Sequence, residues 1–360
     1  MNASATIRSN YVRQSRILIQ PLPFAAVTPI PEIEPRPPNQ AKLRDFKPLN
    51  YAEHRERCHR ERFEGTVAFD VHTNSDTDLS YIDDRYLEDQ SYMELDGEKD
   101  TFRQRVKKMF TVFPYRDPIY LVAIIFTLGS LDLVINAFFD LIPRAVPGVI
   151  FENEKEIASP STILIGAIFF FVAGIFDIFG ALNADAGTME SDKEAGNVKY
   201  RPALLGSPGF KWIPPREKFL ELLLGNLAFQ AGLLVLFGGV IFLFAGVVDF
   251  PGVVPEELPD FAVIVFGPQV IHGFLFFVAN LLLALFDQEK WYKPAYWDPE
   301  WQGAALNTIG GFGFMVVGLE LFNRGEVEVA EFRAAVAAMV GSWAFFIGSL
   351  VRLYSVMEFA

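Results

Sequence analysis

Residues 261–286 read FAVIVFGPQVIHGFLFFVANLLLALF, an unbroken run without one Asp, Glu, Lys or Arg. A helix rises about 1.5 Å per residue and the hydrocarbon core of a bilayer is about 30 Å thick, so roughly 20 apolar residues cross it. This run is long enough. Five more stretches meet the same requirement: Pro118 to Ile142, Ser161 to Leu182, Phe219 to Val248, Ala304 to Phe322 and Ala334 to Met357. No soluble core needs six such segments, so residues 118–360 read as an all-α membrane protein, a six-transmembrane helical bundle. The third span is longer than a crossing needs and is expected to tilt or to begin in the interface, where Pro214 and Pro215 precede Arg216 and Glu217. The fifth is short and rich in glycine (GGFG, 310–313).

Outward from the spans the composition changes. The chain of 360 residues is 51% apolar with 36 Phe, yet carries a net charge of -13 and a pI near 4.9, because charges crowd its first 117 residues. Residues 1–117 are expected to form a largely disordered, acidic cytosolic tail, with Pro-rich stretches at 21–38 and an acidic run from Asp76 to Asp100. Its one helix-compatible piece is Tyr51 to Phe63, where His54, Cys58 and His59 fall near one another without the fourth ligand that a structural zinc site needs. Residues 1–31 hold Arg8, Arg13 and Arg16 and no acid, a transit-peptide composition without a clear amphipathic stripe; a plasma membrane or endomembrane is favoured over the mitochondrion. The acidic balance argues against a nucleic-acid partner. A single cysteine, Cys58, excludes an intramolecular disulfide.

Lys and Arg near span ends orient the bundle. Arg103, Arg105, Lys107, Lys108 and Arg116 precede the first span, and Lys193, Lys199, Arg201, Lys211, Arg216 and Lys218 fill the loop after the second. The opposite side is nearly bare: the first loop has Arg144 and Lys155, the loop 249–260 none, and the fifth loop Arg324 and Arg333. Both termini are therefore expected in the cytosol. Trp212, Trp291, Tyr292, Trp297 and Trp301 stand at span ends, where amphipathic rings favour the headgroup layer.

Each span also carries a phenylalanine followed by mostly small residues: Phe126 to Ser130, Phe170 to Gly174, Phe242 to Gly246, Phe276 to Asn280, Phe314 to Gly318 and Phe345 to Ser349. The match is strongest between the second, fourth and sixth spans, which cross in the same direction. Small residues let backbones approach where no hydrophobic force drives helices together, so Gly129, Gly174, Gly246, Gly341 and Gly348 are read as packing positions.

The sixth span, with Gly341, Ser342, Phe345, Ile347, Gly348 and Ser349, resembles the GSxxFxIGS signature of the YrhK-like membrane domain. GSPGFKW (206–212), FGPQVIHGFLFFVAN (266–280) and the pair Trp291–Tyr292 are similar to stretches of uncharacterised fungal multi-pass integral membrane proteins. The resemblance covers roughly the last 160 residues and implies a helical membrane domain with no established activity. Where the family pattern has an acidic residue after the Gly-Ser pair, this chain has Arg352, with Glu358 further on.

Ionisable groups inside a bilayer are costly unless paired or hydrated, so they are the candidates for function. Asp132, Asn136 and Asp140 recur every four residues as one polar stripe on the first span, with Asp140 near the outer interface; Gln269 and His272 lie one turn apart on the fourth. Interhelical hydrogen bonding and a hydrated pathway both fit Asp132 and Asn136; His272 fits a structural imidazole or a proton carrier. Asp177 and Arg352 each follow the shared phenylalanine by seven residues on parallel spans, which predicts an ion pair between them. No HExxH, phosphate-binding glycine loop or G-x-S-x-G elbow occurs, and no cofactor is implied. Two readings remain: a transporter or channel for a small solute or proton, and a non-catalytic scaffold whose tail binds a cytosolic protein partner.

Overall fold

In the computed structural model of the chain, residues 2–19, 93–94, 100–146, 148–149, 153–191, 198–288, 290–322 and 326–359 are described. All belong to the unit formed by Met1–Gln20 and Ser91–Ala360; the second unit, Pro21–Gln90, lies outside the described residues, and with it the 51–63 helix and His54, Cys58 and His59.

Nine α-helices are described: α1 (Ala3–Ile19), α2 (Phe102–Thr111), α3 (Pro118–Ala145), α4 (Ser159–Leu182), α5 (Arg216–Gly225), α6 (Leu227–Val248), α7 (Phe261–Phe286), α8 (Pro299–Leu321) and α9 (Val327–Val356). α3, α4 and α6 to α9 are long and apolar enough to cross a membrane. Two spans begin with the same local device. Asp117 and Asp298 cap α3 and α8 by accepting from the amides of Ile119 (3.0 Å) and Glu300 (2.9 Å), and proline follows at the first helical position, where a missing N–H costs nothing.

The stretch read as one long third span is two helices. At Asn226 the backbone turns extended (φ -124°, ψ 107°), and its side chain accepts from the Phe229 amide at 3.0 Å, so Asn226 caps α6. The preceding α5 carries Arg216, Glu217, Lys218 and Glu221, which no membrane core would accept.

The six spans form a closed ring in chain order, α3–α4–α6–α7–α8–α9 and back to α3. Burial sorts each helix by side-chain size. On α9, Ala334, Ala338, Gly341, Ser342, Phe345, Gly348 and Ser349 face inward, whereas Val336, Val340, Trp343 and Ile347 are exposed. Large aliphatic groups gain nothing by leaving lipid for protein, while small ones let backbones close up, so this is the sorting a bilayer imposes.

The six phenylalanines aligned by the repeat meet at the ring's centre. Phe170 lies 5.5 Å from Phe276 and from Phe345, 5.0 Å from Phe126 and 5.8 Å from Phe242; Phe314 lies 5.7 Å from Phe345. Many pairs meet edge to face, the arrangement the ring quadrupole favours.

Part of the segment read as tail belongs to this unit. α1 enters one end of the ring: a Cβ on Gly232 of α6 would stand 3.1 Å from the Ala3 Cβ, and one on Gly180 of α4 would stand 2.9 Å from the Ser4 Cβ. Ala5 packs with Ile119 and Ala123 of α3 and with Leu353 and Val356 of α9. Arg8 makes a buried, bidentate ion pair with Asp117 (2.6 and 2.8 Å). Burial opposes the Arg8 charge, but the Asp117 carboxylate outweighs it and holds the guanidinium's pKa above its ordinary value. Beside this pair, β1 (Met93–Glu94), β3 (Val198–Arg201) and β2 (Thr188–Ser191) form an antiparallel sheet in that order. Tyr200 of β3 packs on Tyr11 and donates to the Ala184 carbonyl at 3.1 Å; burial pushes its phenol up to about 12.

Candidate functional site: a vestibule between the spans

Opposite the α1 end, the ring holds a cavity of about 210 Å³ that narrows to the central aromatic cluster. Asn136, Gln269 and His272 line it, with Phe242 and Phe314 among its deeper lining. Its rim adds charged groups at helix ends: Asp140 and Arg144 from α3, Glu331 from α9, and Asp249 just after α6. Arg144 pairs with Asp140 one turn before it and with Glu331 at 3.2 Å. Three carboxylates against one guanidinium leave the rim electronegative. Burial, with the nearby Asp140 charge, pushes the Asp249 carboxyl up to about 6. Gln269 donates to Asp249 at 3.4 Å.

His272 stacks on Phe242, with ring centres 4.4 Å apart and planes 12° from parallel. Its Nδ1 lies 3.0 Å from the Pro268 carbonyl oxygen, which can only accept, so Nδ1 carries the hydrogen. The other nitrogen, Nε2, is then an acceptor, and it has no partner among the described residues. Asn136 is already engaged: its Nδ2 donates to the Ser159 carbonyl (2.8 Å) and the Thr162 hydroxyl (2.9 Å), tying α3 to the start of α4. It therefore both links helices and lines the vestibule wall.

Asp132 does not line the cavity. It lies on the α4 side of α3, its Oδ2 3.1 Å from where a Cβ on Gly166 would stand. One turn of helix separates it from Asn136, and the inward drift of the stripe brings in Asp140 instead. Of the charged rim, Asp140 was legible as the outer end of the polar stripe; its gathering with Arg144, Asp249 and Glu331 was not. Asp140 and Arg144 extend the four-residue recurrence of Asp132 and Asn136, which was the available signal; Asp249 and Glu331 carried none, because they come from separate loop-proximal positions that only the closed ring unites.

Asp177 and Arg352 do not form the expected ion pair. Both Asp177 oxygens accept backbone amides of α1, from Ala3 at 3.0 Å and Ser4 at 2.9 Å. In the ring α3 stands between α4 and α9, so equal depth does not bring the two side chains together, and α1 fills the space where they would have met. Arg352 instead lies across Gly303 of α8.

The glycines of the repeat sit at helix crossings. A Cβ on Gly129 would stand 2.8 Å from the Phe169 Cβ; on Gly174, 3.2 Å from the Leu236 Cα; on Gly246, 3.1 Å from the Leu164 Cα. Gly341 faces Gly310 and Gly313, and Gly348 faces Asn307.

A wider cleft of about 530 Å³ opens at the α1 end, where Lys218 pairs with Asp185 at 2.6 Å, but Asn136, Gln269 and His272 do not line it. Among the described residues no group of three or more His, Cys, Asp or Glu is placed to hold a metal ion.

Six apolar spans with lipid-sorted faces define a multi-pass integral membrane protein whose surroundings are a lipid bilayer. No protein-family model, curated protein or solved structure matches the chain.

Proposed function

We propose that this protein moves a proton or a small cationic solute across its membrane, entering through the vestibule. One observation carries the reading: Asn136, Gln269 and His272, from spans α3 and α7, converge with an electronegative rim on one cavity, and the His272 Nε2 is buried without a partner among the described residues. A scaffold needs no such cavity, and polar groups within a bilayer are retained where they serve a pathway or a partner. The volume of about 210 Å³ is below the roughly 300–1,000 Å³ of pockets for drug-sized ligands, which limits the cargo to a proton or a few heavy atoms. The Lys and Arg distribution supports a cytosolic α1 end, with the vestibule on the other side of a plasma membrane or endomembrane. The likeness of α9 to the YrhK-like domain belongs to the same proposal and adds no activity to it.

The test is flux in proteoliposomes carrying an internal pH dye, driven by a potassium diffusion potential. Protons are expected to follow the potential through the wild-type protein and to stop with His272→Gln, which keeps ring-sized bulk but loses the titratable nitrogen. Absence of proton flux and of sodium or potassium flux in the wild type overturns transport and returns the scaffold reading.

A further inference from the structure

The helices α8 and α9 run antiparallel with a fixed register. Gly303 faces Arg352, Asn307 faces Gly348, Gly310 faces Phe345 and Gly313 faces Gly341. In the first three layers a side chain from one helix lies over a glycine of the other: a Cβ on Gly303 would stand 2.7 Å from the Arg352 Cγ and 2.9 Å from its Nε, and one on Gly348 would stand 2.5 Å from the Asn307 Oδ1. Helical side chains lean toward their own N-terminus, so on antiparallel helices Arg352 leans into the Asn307 layer and Asn307 leans into the Arg352 layer.

Both head groups end without a partner. Arg352 is 1% exposed and Asn307 0% exposed, yet Nε, Nη1 and Nη2 of the one and Nδ2 and Oδ1 of the other make no hydrogen bond among the described residues. No acid pairs with Arg352 among the described residues: Asp177 is held by the amides of α1 and Glu358 by Arg105 at 3.0 Å, and Glu300, buried one turn before Gly303 on α8, makes no hydrogen bond to the guanidinium. A guanidinium shielded from water and from headgroups, one helical layer from orphaned amide hydrogens, lacks its counter-charge, and an uncompensated buried ion is strongly destabilising. Snorkelling to the membrane surface is closed to a side chain buried this far.

We propose that Arg352 and Asn307 bind a small monovalent inorganic anion of chloride size within the α8–α9 interface, as a structural counter-ion. Glycine at 303 and 348 lets the Arg352 and Asn307 side chains lie between the helices, and one guanidinium calls for one negative charge. This site is separate from the vestibule and stands whether or not the protein transports.

Thermal unfolding of the full-length protein in detergent, in sodium chloride against sodium gluconate at equal ionic strength, tests it. Chloride at about a hundredfold its dissociation constant is expected to raise Tm by roughly 5 °C, saturably, with gluconate too large to substitute. Arg352→Gln is expected to remove the chloride dependence. Should that variant fail to fold, Asn307→Asp decides: it supplies a carboxylate beside the guanidinium, so the protein should fold and melt alike in both salts. Equal melting of the wild type in chloride and gluconate overturns the proposal, as does an Asn307→Asp or Arg352→Gln protein that keeps the full chloride response.

Discussion

A single carboxyl illustrates how the vestibule is poised. The Asp249 pKa is raised to about 6 from an ordinary value near 4, so between those values the folded protein binds a proton that the unfolded chain has released. Stability from this group is present at pH 4 and is lost as pH rises through 6. Asp249→Asn should therefore stabilise the detergent-solubilised protein by roughly 1–2 kcal/mol at pH 7.5 and change little at pH 4.5; equal effects at both would place the carboxyl in an aqueous setting. At the same scale, Gly341→Leu should cost about 1–3 kcal/mol by forcing α9 from Gly310 and Gly313, whereas Val340→Leu, on the exposed face, should be neutral. Of the signature that suggested a family, Gly341, Ser342, Phe345, Gly348 and Ser349 all point inward, so ring packing alone accounts for most of it. The glycines were legible because a crossing needs a small residue whatever the partner. The surroundings of Asp177 and Arg352 were not, because depth in a span fixes one coordinate and leaves the angle around the ring open.

Among the elements, α1 departs furthest from its sequence. ASATIRSNYVRQSRILI has little apolar surface to bury, and its polar residues read as tail. Its burial comes instead from specific pairing: two amides on Asp177, Asn2 Nδ2 on the Ile119 carbonyl at 3.2 Å, and Arg8 on Asp117. Such contacts span well over a hundred residues and leave no local periodicity to read. Removing one partner of the Arg8–Asp117 pair leaves a buried charge, so Arg8→Met should destabilise by about 3–5 kcal/mol. Arg8→Met with Asp117→Asn, which keeps the α3 cap, should recover part of that. Strict additivity in urea or SDS unfolding would mean the two residues act independently. The third span failed differently: hydropathy ran on through Leu222 to Leu224 into α6, while Asn226, a strong cap, marked the true start.

At the largest scale, the unit formed by Met1–Gln20 and Ser91–Ala360 is a ring of spans that is open at one end to a small electronegative vestibule, filled at its centre by six phenylalanines and entered at the other end by α1. The number of spans and the central aromatic layer were readable from length and repeat. Closure of the ring was not, since which helices become neighbours is decided by packing between them, and it is closure that brings the ends of α3, α6 and α9 to one rim. The proposed direction of entry can be measured in a Cys58→Ser background, with single cysteines at Gln269 in the vestibule and at Asn10 on α1, in the cleft at the opposite end. Sealed vesicles with the non-cytosolic face outward would be treated with a small, impermeant, cationic thiol reagent. Labelling of Gln269→Cys before permeabilisation, and of Asn10→Cys only after it, is the predicted result; the reverse order would contradict an external vestibule closed from the cytosol by α1.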